Sequence, residues 1–286
     1  MRAFEKAKLI TILKELARNE IRIAYHEEGT IVSACTSKIG GRPAVPDGFI
    51  WPRYLGESFE NIIKERPLSF MAQFNLEELK AYDTENLLPE KGMLSFFYEQ
   101  ITMPWGYDPE HHGSAKVYYF PTIDDLKPMD APEDIDEEAI MSELTVTFEK
   151  YVSIPVFEDF PEDMTDMEIE WEDYDVCCEE LGCRRDQLGE IHKLLGYPDT
   201  IQNPMPEECE EMIEQVYPSE GMTICVDENG IVDKSKDWIL LFQMGTIETK
   251  DMEYMFGDCG HIYFWIRKHD LINKNFDKIW LILQCG

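Results

Sequence analysis

Three groups of residues in this 286-residue chain place reactive side chains close together. In GDCGHIYFWI, residues 257–266, Cys259 and His261 are two apart. Side chains two apart in a strand project to one side, so a thiol there is within reach of an imidazole base. A nucleophilic pair also needs a third group to orient the base, and none is identified. The run CCEELGC gathers Cys177, Cys178 and Cys183, with His192 and Cys209 downstream. Zinc sites are built from two separated short Cys or His pairs at set spacing, and that pattern is missing. His111 and His112 are adjacent in DPEHHGS, and neighbours in regular structure do not easily share one ion. The sequence has no Walker-type phosphate loop, dinucleotide fingerprint, serine elbow or HExxH pair. Asp136, Glu137 and Glu138 lack the ligand order of a calcium loop, and Asn229-Gly230 in VDENGIVD reads as a hairpin turn. No catalytic residue, cofactor or metal is assigned.

Two glutamines raise a different question. Gln73 in SFMAQFN and Gln243 in WILLFQMG each interrupt an apolar strand. A buried amide costs roughly 1–3 kcal/mol if its donors and acceptors stay unmet. In one reading the two amides satisfy nearby turns, such as those at Gly41 and Gly196. In the other they line a cleft and grip a polar ligand, with Arg42, Asp47, Trp51, Asp258 and Arg267 as neighbours. Arg42 and Trp51 suit that reading because a guanidinium and an indole in a rigid loop recognise anions or rings. The plainer alternative has Trp51 filling the core and Arg42 paired with a local carboxylate.

The formal net charge is −32. Phosphate recognition needs a basic face, so nucleic-acid binding is not expected, and anionic lipid is disfavoured for the same reason. No apolar run is long enough to span a bilayer. The N-terminus has no secretory h-region, and the eight cysteines are scattered, as in a cytoplasmic protein with reduced thiols. The charge is concentrated: residues 130–180 hold twenty Asp or Glu and one Lys. The densest part, EDFPEDMTDMEIEWEDYD, interleaves its carboxylates with aromatic and apolar side chains. A purely solvating insertion carries few aromatics. The other reading is an acidic-aromatic docking surface for a basic protein, made of Glu158, Asp159, Glu162, Asp163, Asp166, Glu170, Trp171 and Asp173.

These groups are carried by elements legible from periodicity. An amphipathic helix opens the chain, with Phe4, Ala7, Ile10, Leu13 and Leu16 or Ala17 on one face. IRIAY and TIVSAC form a hairpin across HEEG. Residues 37–54 are a loop dense in Gly and Pro. Strands follow at PLSFMAQFN, GMLSFFYEQ, SAKVYYFP and LTVTFEKYVSIPVF, with a short helix at NLEELKAY capped by Asn75. Helical periodicity appears in RRDQLGEIHKLLG and PEECEEMIEQVY. Strands return at WILLFQMG, GHIYFWI and KIWLILQC. In HIYFWI, Tyr263 and Trp265 face one way with His261, and Ile262, Phe264 and Ile266 face the other, both sides covered.

The late strands repeat the early ones in order. Gln73 lies 23 positions before Phe96, and Gln243 lies 21 before Phe264; KIGGRP precedes the first set and KLLGYP the second. The expected fold class is α+β: an internally duplicated, mostly antiparallel β-sheet core with flanking helices. The chain is read as one domain, residues 1–286, with pseudo-repeats at about 21–125 and 190–286 and an acidic insertion at about 130–180.

The ordered stretches IGGRPAVPDGFIWP, SFMAQFNLEEL, LPEKGMLSFFY, MFGDCGHIYFWI and FDKIWLILQC resemble the YwqG-like, or DUF1963, family of bacterial proteins. The likeness runs from about Ile21 to the C-terminus. Gly40, Gly41, Pro43, Pro46, Trp51 and Pro52 fit its most specific loop, and Gly257, Asp258 and Gly260 fit its late turn. The resemblance implies an α+β fold and a soluble bacterial protein, and carries no reaction to transfer. Some relatives look like neighbours of secreted-toxin systems, which brings an immunity role into view.

The leading expectation is a non-catalytic module that binds a basic protein, such as a toxin it neutralises. The second is a small-ligand or enzymatic site between the repeats.

Overall fold

Alternating apolar residues produce ten strands that join one sheet in this computed structural model, which describes residues 3–58, 61–161, 164–183, 191–218, 234–250 and 253–286. The strands are β1 (Arg18–His26), β2 (Lys38–Ile39), β3 (Ser69–Asn75), β4 (Met93–Tyr98), β5 (Ala115–Phe120), β6 (Leu144–Ser153), β7 (His192–Leu195), β8 (Trp238–Met244), β9 (His261–Arg267) and β10 (Trp280–Gln284). Their spatial order is β10-β9-β8-β7-β1-β6-β2-β3-β4-β5. Every neighbouring pair is antiparallel. The α+β class with an antiparallel sheet is therefore met.

The long strands β1 and β6 pair at the centre over nine residues, from Arg18 opposite Ser153 to His26 opposite Thr145. One arm leads outward through β7, β8 and β9, the other through β2, β3 and β4. In each arm the register shifts two residues before the glutamine, between Phe70 and Ala72 and between Leu240 and Phe242. Such a bulge bends its strand and increases twist. Phe74 and Phe96 from one arm meet Phe242 and Phe264 from the other, with ring centroids 4.8 to 5.8 Å apart. The sheet thus folds over on itself and buries one face.

Helices and loops cover the outer faces. Helix α4 (Pro206–Val216) brings Met205, Cys209, Met212 and Ile213 against Trp238, Tyr263, Trp265 and Trp280. Ile262, Phe264 and Ile266 belong to the inner core instead, so β9 is covered on both sides. Trp51 with Leu68, Phe70 and Phe97 covers the other arm. Helix α1 (Ala3–Leu16) and α3 (Trp171–Glu180) share a satellite core of Leu9, Leu13, Ile154, Tyr174, Cys177 and Cys178. Two short helices, α2 (Leu76–Leu79) and α5 (Lys268–Ile272), follow β3 and β9 directly. Asn75 caps α2 by accepting the Glu77 N–H. No described helix is long and apolar enough to cross a membrane.

Several expectations are corrected. TIVSAC forms no strand; β1 is paired along both edges, by β6 and by β7, which leaves no edge for a local hairpin partner. In RRDQLGEIHKLLG, residues 184–190 lie outside the described residues and His192–Leu195 is a strand, because HKLL is buried on both faces. In α1 the buried residues are Leu9, Ile12 and Leu13, while Phe4 is 80% exposed. That stripe follows the contact with α3 near its C-terminal half. The Asn229-Gly230 turn and Cys225 lie outside the described residues.

Candidate functional site

Gln73 and Gln243 are fully buried, and their polar atoms are engaged. Gln73 Oε1 accepts the Ala44 N–H at 2.8 Å, and its Nε2 donates to the carbonyls of Ala34 (2.7 Å) and Thr36 (2.9 Å). Gln243 Oε1 accepts the Asp199 N–H at 2.9 Å, and its Nε2 donates to Ile191 O (3.0 Å) and Asp199 Oδ2 (2.8 Å). Across the ladder from each stands a buried lysine, Lys38 opposite Gln73 and Lys193 opposite Gln243. Lys38 Nζ lies 2.6 Å from Glu143 Oε2; Lys193 Nζ lies 2.5 Å from Asp199 and 3.3 Å from Glu20. Each lysine opens a turn with two left-handed residues, Gly40 and Gly41 at φ 61° and 71°, Leu195 and Gly196 at φ 61° and 76°. A buried cation and a buried amide meet the polar groups that such turns bring into the core.

The other cleft residues have local partners. Arg42 is exposed and lies 3.3 Å from Asp130. Asp47 pairs with Lys127 at 2.8 Å. Trp51 is buried, donates its indole N–H to Leu68 O at 2.8 Å and packs edge-on against Phe97. Asp258 is exposed in the turn before β9, where its carbonyl accepts the Gly286 N–H. Arg267 binds Glu210 at 2.8 Å and lies over the Trp238 ring. Among the described residues no hydrogen bond or ion pair joins Arg42, Asp47, Trp51 or Gln73 to Gln243, Asp258 or Arg267. Cys259 is exposed at φ 50° in the same turn, and His261 lies beside the Tyr263 ring. No group of three His, Cys, Asp or Glu able to hold a metal occurs among the described residues.

Sequence reasoning passed over Lys38, Lys193, Glu20 and Asp199. The repeated Lys before each Gly-Pro turn was their signal, and only the register shows that both lysines are buried opposite a glutamine.

Two further places hold perturbed groups. His111 and His112 line a small, open recess with Lys116, Asp277 and Trp280. His111 Nδ1 accepts the Gly106 N–H at 3.0 Å, while His112 Nε2 meets the Tyr217 hydroxyl at 3.0 Å and its ring stacks on Trp280. Burial lowers the pKa of both. The buried Glu99 carboxyl is raised by desolvation and accepts the N–H groups of Ile101 and Thr102 as well as the Thr102 hydroxyl. It closes the turn after β4.

The acidic segment divides into two parts. In the first, carboxylates meet cations: Asp130 with Arg42, Asp134 with Arg53 through two bonds of 2.7 and 2.9 Å, Asp136 with Lys64 and Arg66, and Glu143 with Lys38. Arg53 lowers the pKa of Asp134. In the second part Phe157 and Phe160 turn inward onto Tyr174, whose hydroxyl donates to Pro155 O. Asp159, half-buried, accepts from the Thr200 hydroxyl, and Glu180 binds Lys6. Glu158, Asp166, Glu168, Glu170, Glu172 and Asp175 make no ion pair among the described residues. Glu170 and Trp171 start α3; Trp171 is 55% exposed, and Asp173, in the first turn, is half-buried. Glu162 and Asp163 lie outside the described residues.

The family model for a domain of unknown function, DUF1963, matches residues 37–285. The chain belongs to the DUF1963 family. No curated protein matches it. The DUF1963 match begins beside Lys38 and so takes in both lysine-glutamine pairs but not β1, which supplies Glu20 to Lys193. Gly40 and Gly41 have a steric reason in this fold. A side chain at Gly40 meets Ser142 O at 2.2 Å, and one at Gly41 meets the Glu143 carboxylate at 2.6 Å. At Gly260 it meets Phe256 O at 2.1 Å.

Proposed function

We propose that this chain is a protein-binding module, and that the outer face of α3 and its approach, residues 158–175, takes a basic protein. The observation that carries the reading is the split of the acidic segment. In its first part Asp130, Asp134, Asp136 and Glu143 meet Arg42, Arg53, Lys64, Arg66 and Lys38, whereas Glu168, Glu170, Glu172 and Asp175 around Trp171 make no ion pair among the described residues. The aromatics of the segment are packed inward, so Trp171 stays outside on an ordered helix. An exposed indole among unpaired carboxylates suits a partner with Lys or Arg around an apolar or aromatic contact. The net charge of −32 speeds encounter with such a partner. A toxin-neutralising role is one form of this activity, since an acidic inhibitor fits over the phosphate track of a basic nuclease. The eight scattered cysteines support a reducing, cytoplasmic setting. The matched arms, with their shared lysine, glutamine and bulge, support an internal duplication within one domain.

Affinity capture from native extract at about 50 mM and about 500 mM salt, strengths of weak and strong screening, tests the reading. One basic protein retained at low salt and shed at high salt is the expected result, with retention lost in a Trp171→Ala, Glu168→Gln, Glu170→Gln, Glu172→Gln variant. An empty capture at low salt, or equal retention by the variant, removes the proposal.

A further inference from the structure

The two-stranded ribbon formed by Arg53–Glu57 and Ile63–Pro67 stands outside the ten-stranded sheet. Its register places Leu55 opposite Glu65 and Glu57 opposite Ile63. Antiparallel partners share a face, and so do residues two apart in one strand, so these four side chains lie on a single face. All four are exposed, Leu55 at 62% and Ile63 at 67%. They form a small checkerboard, with the two apolar groups on one diagonal and the two carboxylates on the other. Neither Glu57 nor Glu65 has an ion pair among the described residues. Ile50 and Ile62, nearby in the chain, are 85% and 50% exposed.

The ribbon is held down from its other side by Arg66, which is buried and donates to the carbonyls of Gly56 and Lys64, and Lys64 and Arg66 reach Asp136. Arg53 stands at one end of the outer face, two residues before Leu55, and is taken up by Asp134 through two bonds. Beyond that pair the outer face holds two apolar and two acidic groups. A flat, partly apolar ribbon left open is an association hazard that proteins usually blunt with lysine or proline.

From this juxtaposition we infer that the outer face of the 53–67 ribbon is a second docking surface, separate from the Trp171 face, for an extended segment in which apolar and basic residues alternate at every second position, along one face. From Leu55 to Glu57 and from Ile63 to Glu65 the exposed positions read apolar then acidic at a two-residue step. A partner strand with apolar and basic residues at the same step matches both diagonals. Charge excludes a second copy of this chain as the occupant. Pairing two such faces sets four carboxylates against one another within molecules of net charge −32.

The probe, a lysine-valine peptide, repeats valine-serine-lysine-serine so that valine and lysine alternate along one face; the control for charge alone, a lysine-serine peptide, has serine in place of each valine. Binding is read by fluorescence anisotropy of labelled peptide against the full-length protein. The lysine-valine peptide is expected to bind at least tenfold more tightly than the lysine-serine peptide. Leu55→Ser with Ile63→Ser, or Glu57→Gln with Glu65→Gln, should each weaken it about tenfold, and Trp171→Ala should leave it unchanged. All these side chains are exposed, so circular dichroism should confirm that the variants fold. Equal binding of the two peptides, or no loss in either ribbon variant, overturns the inference. So does a wild-type dimer at high salt, seen by sedimentation, that the Leu55→Ser, Ile63→Ser variant abolishes. Loss of peptide binding in Trp171→Ala alone assigns it to the acidic helix and removes the ribbon site.

Discussion

Gln73 and Gln243 share two bonds in opposite arms of the sheet. Each accepts the N–H of the residue six beyond a buried lysine, Ala44 after Lys38 and Asp199 after Lys193. Each donates to the carbonyl two before that lysine, Thr36 and Ile191. A side chain that ties both ends of a buried turn to the core strand beside it is a structural clasp. Replacing either glutamine by alanine strands a buried N–H and at least one carbonyl. The expected loss is about 2–4 kcal/mol in urea unfolding, similar at the two sites. A variant at either position within about 0.5 kcal/mol of the parent would contradict the clasp.

The two lysines should differ. The Glu143 side chain is 41% exposed, whereas that of Glu20 is 1% exposed. After Lys38→Ala, Glu143 swings into water; after Lys193→Ala, Glu20 keeps Arg22 at 2.7 Å, but two carboxylates, Glu20 and Asp199, have lost their shared buried cation. Loss of a buried partner costs about 3–5 kcal/mol, and solvent relieves much of that when the remaining charge is near the surface. Denaturant midpoints should therefore fall further for Lys193→Ala than for Lys38→Ala. The reverse order would show that Arg22 alone compensates Glu20.

His192 ties stability to pH. It is 3% exposed, its Nδ1 accepts the Gly245 N–H, and Tyr25 packs edge-on against its ring. Burial, aided by the nearby His261, lowers its pKa to about 4. A histidine depressed in the fold takes up its proton more readily when unfolded. Its neutral form is accommodated fully above about pH 6.5, and stability is lost as pH falls from there through about 4. The shift corresponds to roughly 3 kcal/mol. The raised pKa of Glu99 acts in the opposite sense, removing stability as pH rises through it. The measurement is the difference in unfolding free energy between wild type and His192→Gln at pH 7 and pH 4. The gap should narrow in acid, and a gap independent of pH would rule out His192 as a source of the dependence.

Trp171 and Tyr174 separate binding from folding on one helix. Tyr174 is 4% exposed and holds Phe157, Phe160 and the Pro155 carbonyl, while Trp171 is 55% exposed. Tyr174→Ala should lower stability by about 3 kcal/mol or more, and Trp171→Ala should stay within about 0.5 kcal/mol. Thermal melts of the two variants decide this. A large loss at Trp171 would make its indole a packing residue and weaken the docking proposal.

The amino-acid sequence by itself determined the α+β class, the strand positions of both late and early sets, the Asn75 cap and the two covered faces of HIYFWI. These depend on local periodicity and capping chemistry, which neighbours in the chain express. It also marked Gln73 and Gln243, because an amide in an apolar run needs partners wherever it lies. Only the tertiary structure decided what those partners are. Lys38 and Lys193 read as ordinary surface residues until the register sets each against a glutamine in the core. TIVSAC and HKLL went against their local patterns because pairing with β1 is a long-range choice, made by the faces available for burial. Composition does not show which carboxylates of the acidic run are paired, yet folding brings cations from residues 38–66 to Asp130, Asp134, Asp136 and Glu143 and no further along the run. Which charges stay unpaired depends on distances between segments far apart in the chain, and composition does not carry them.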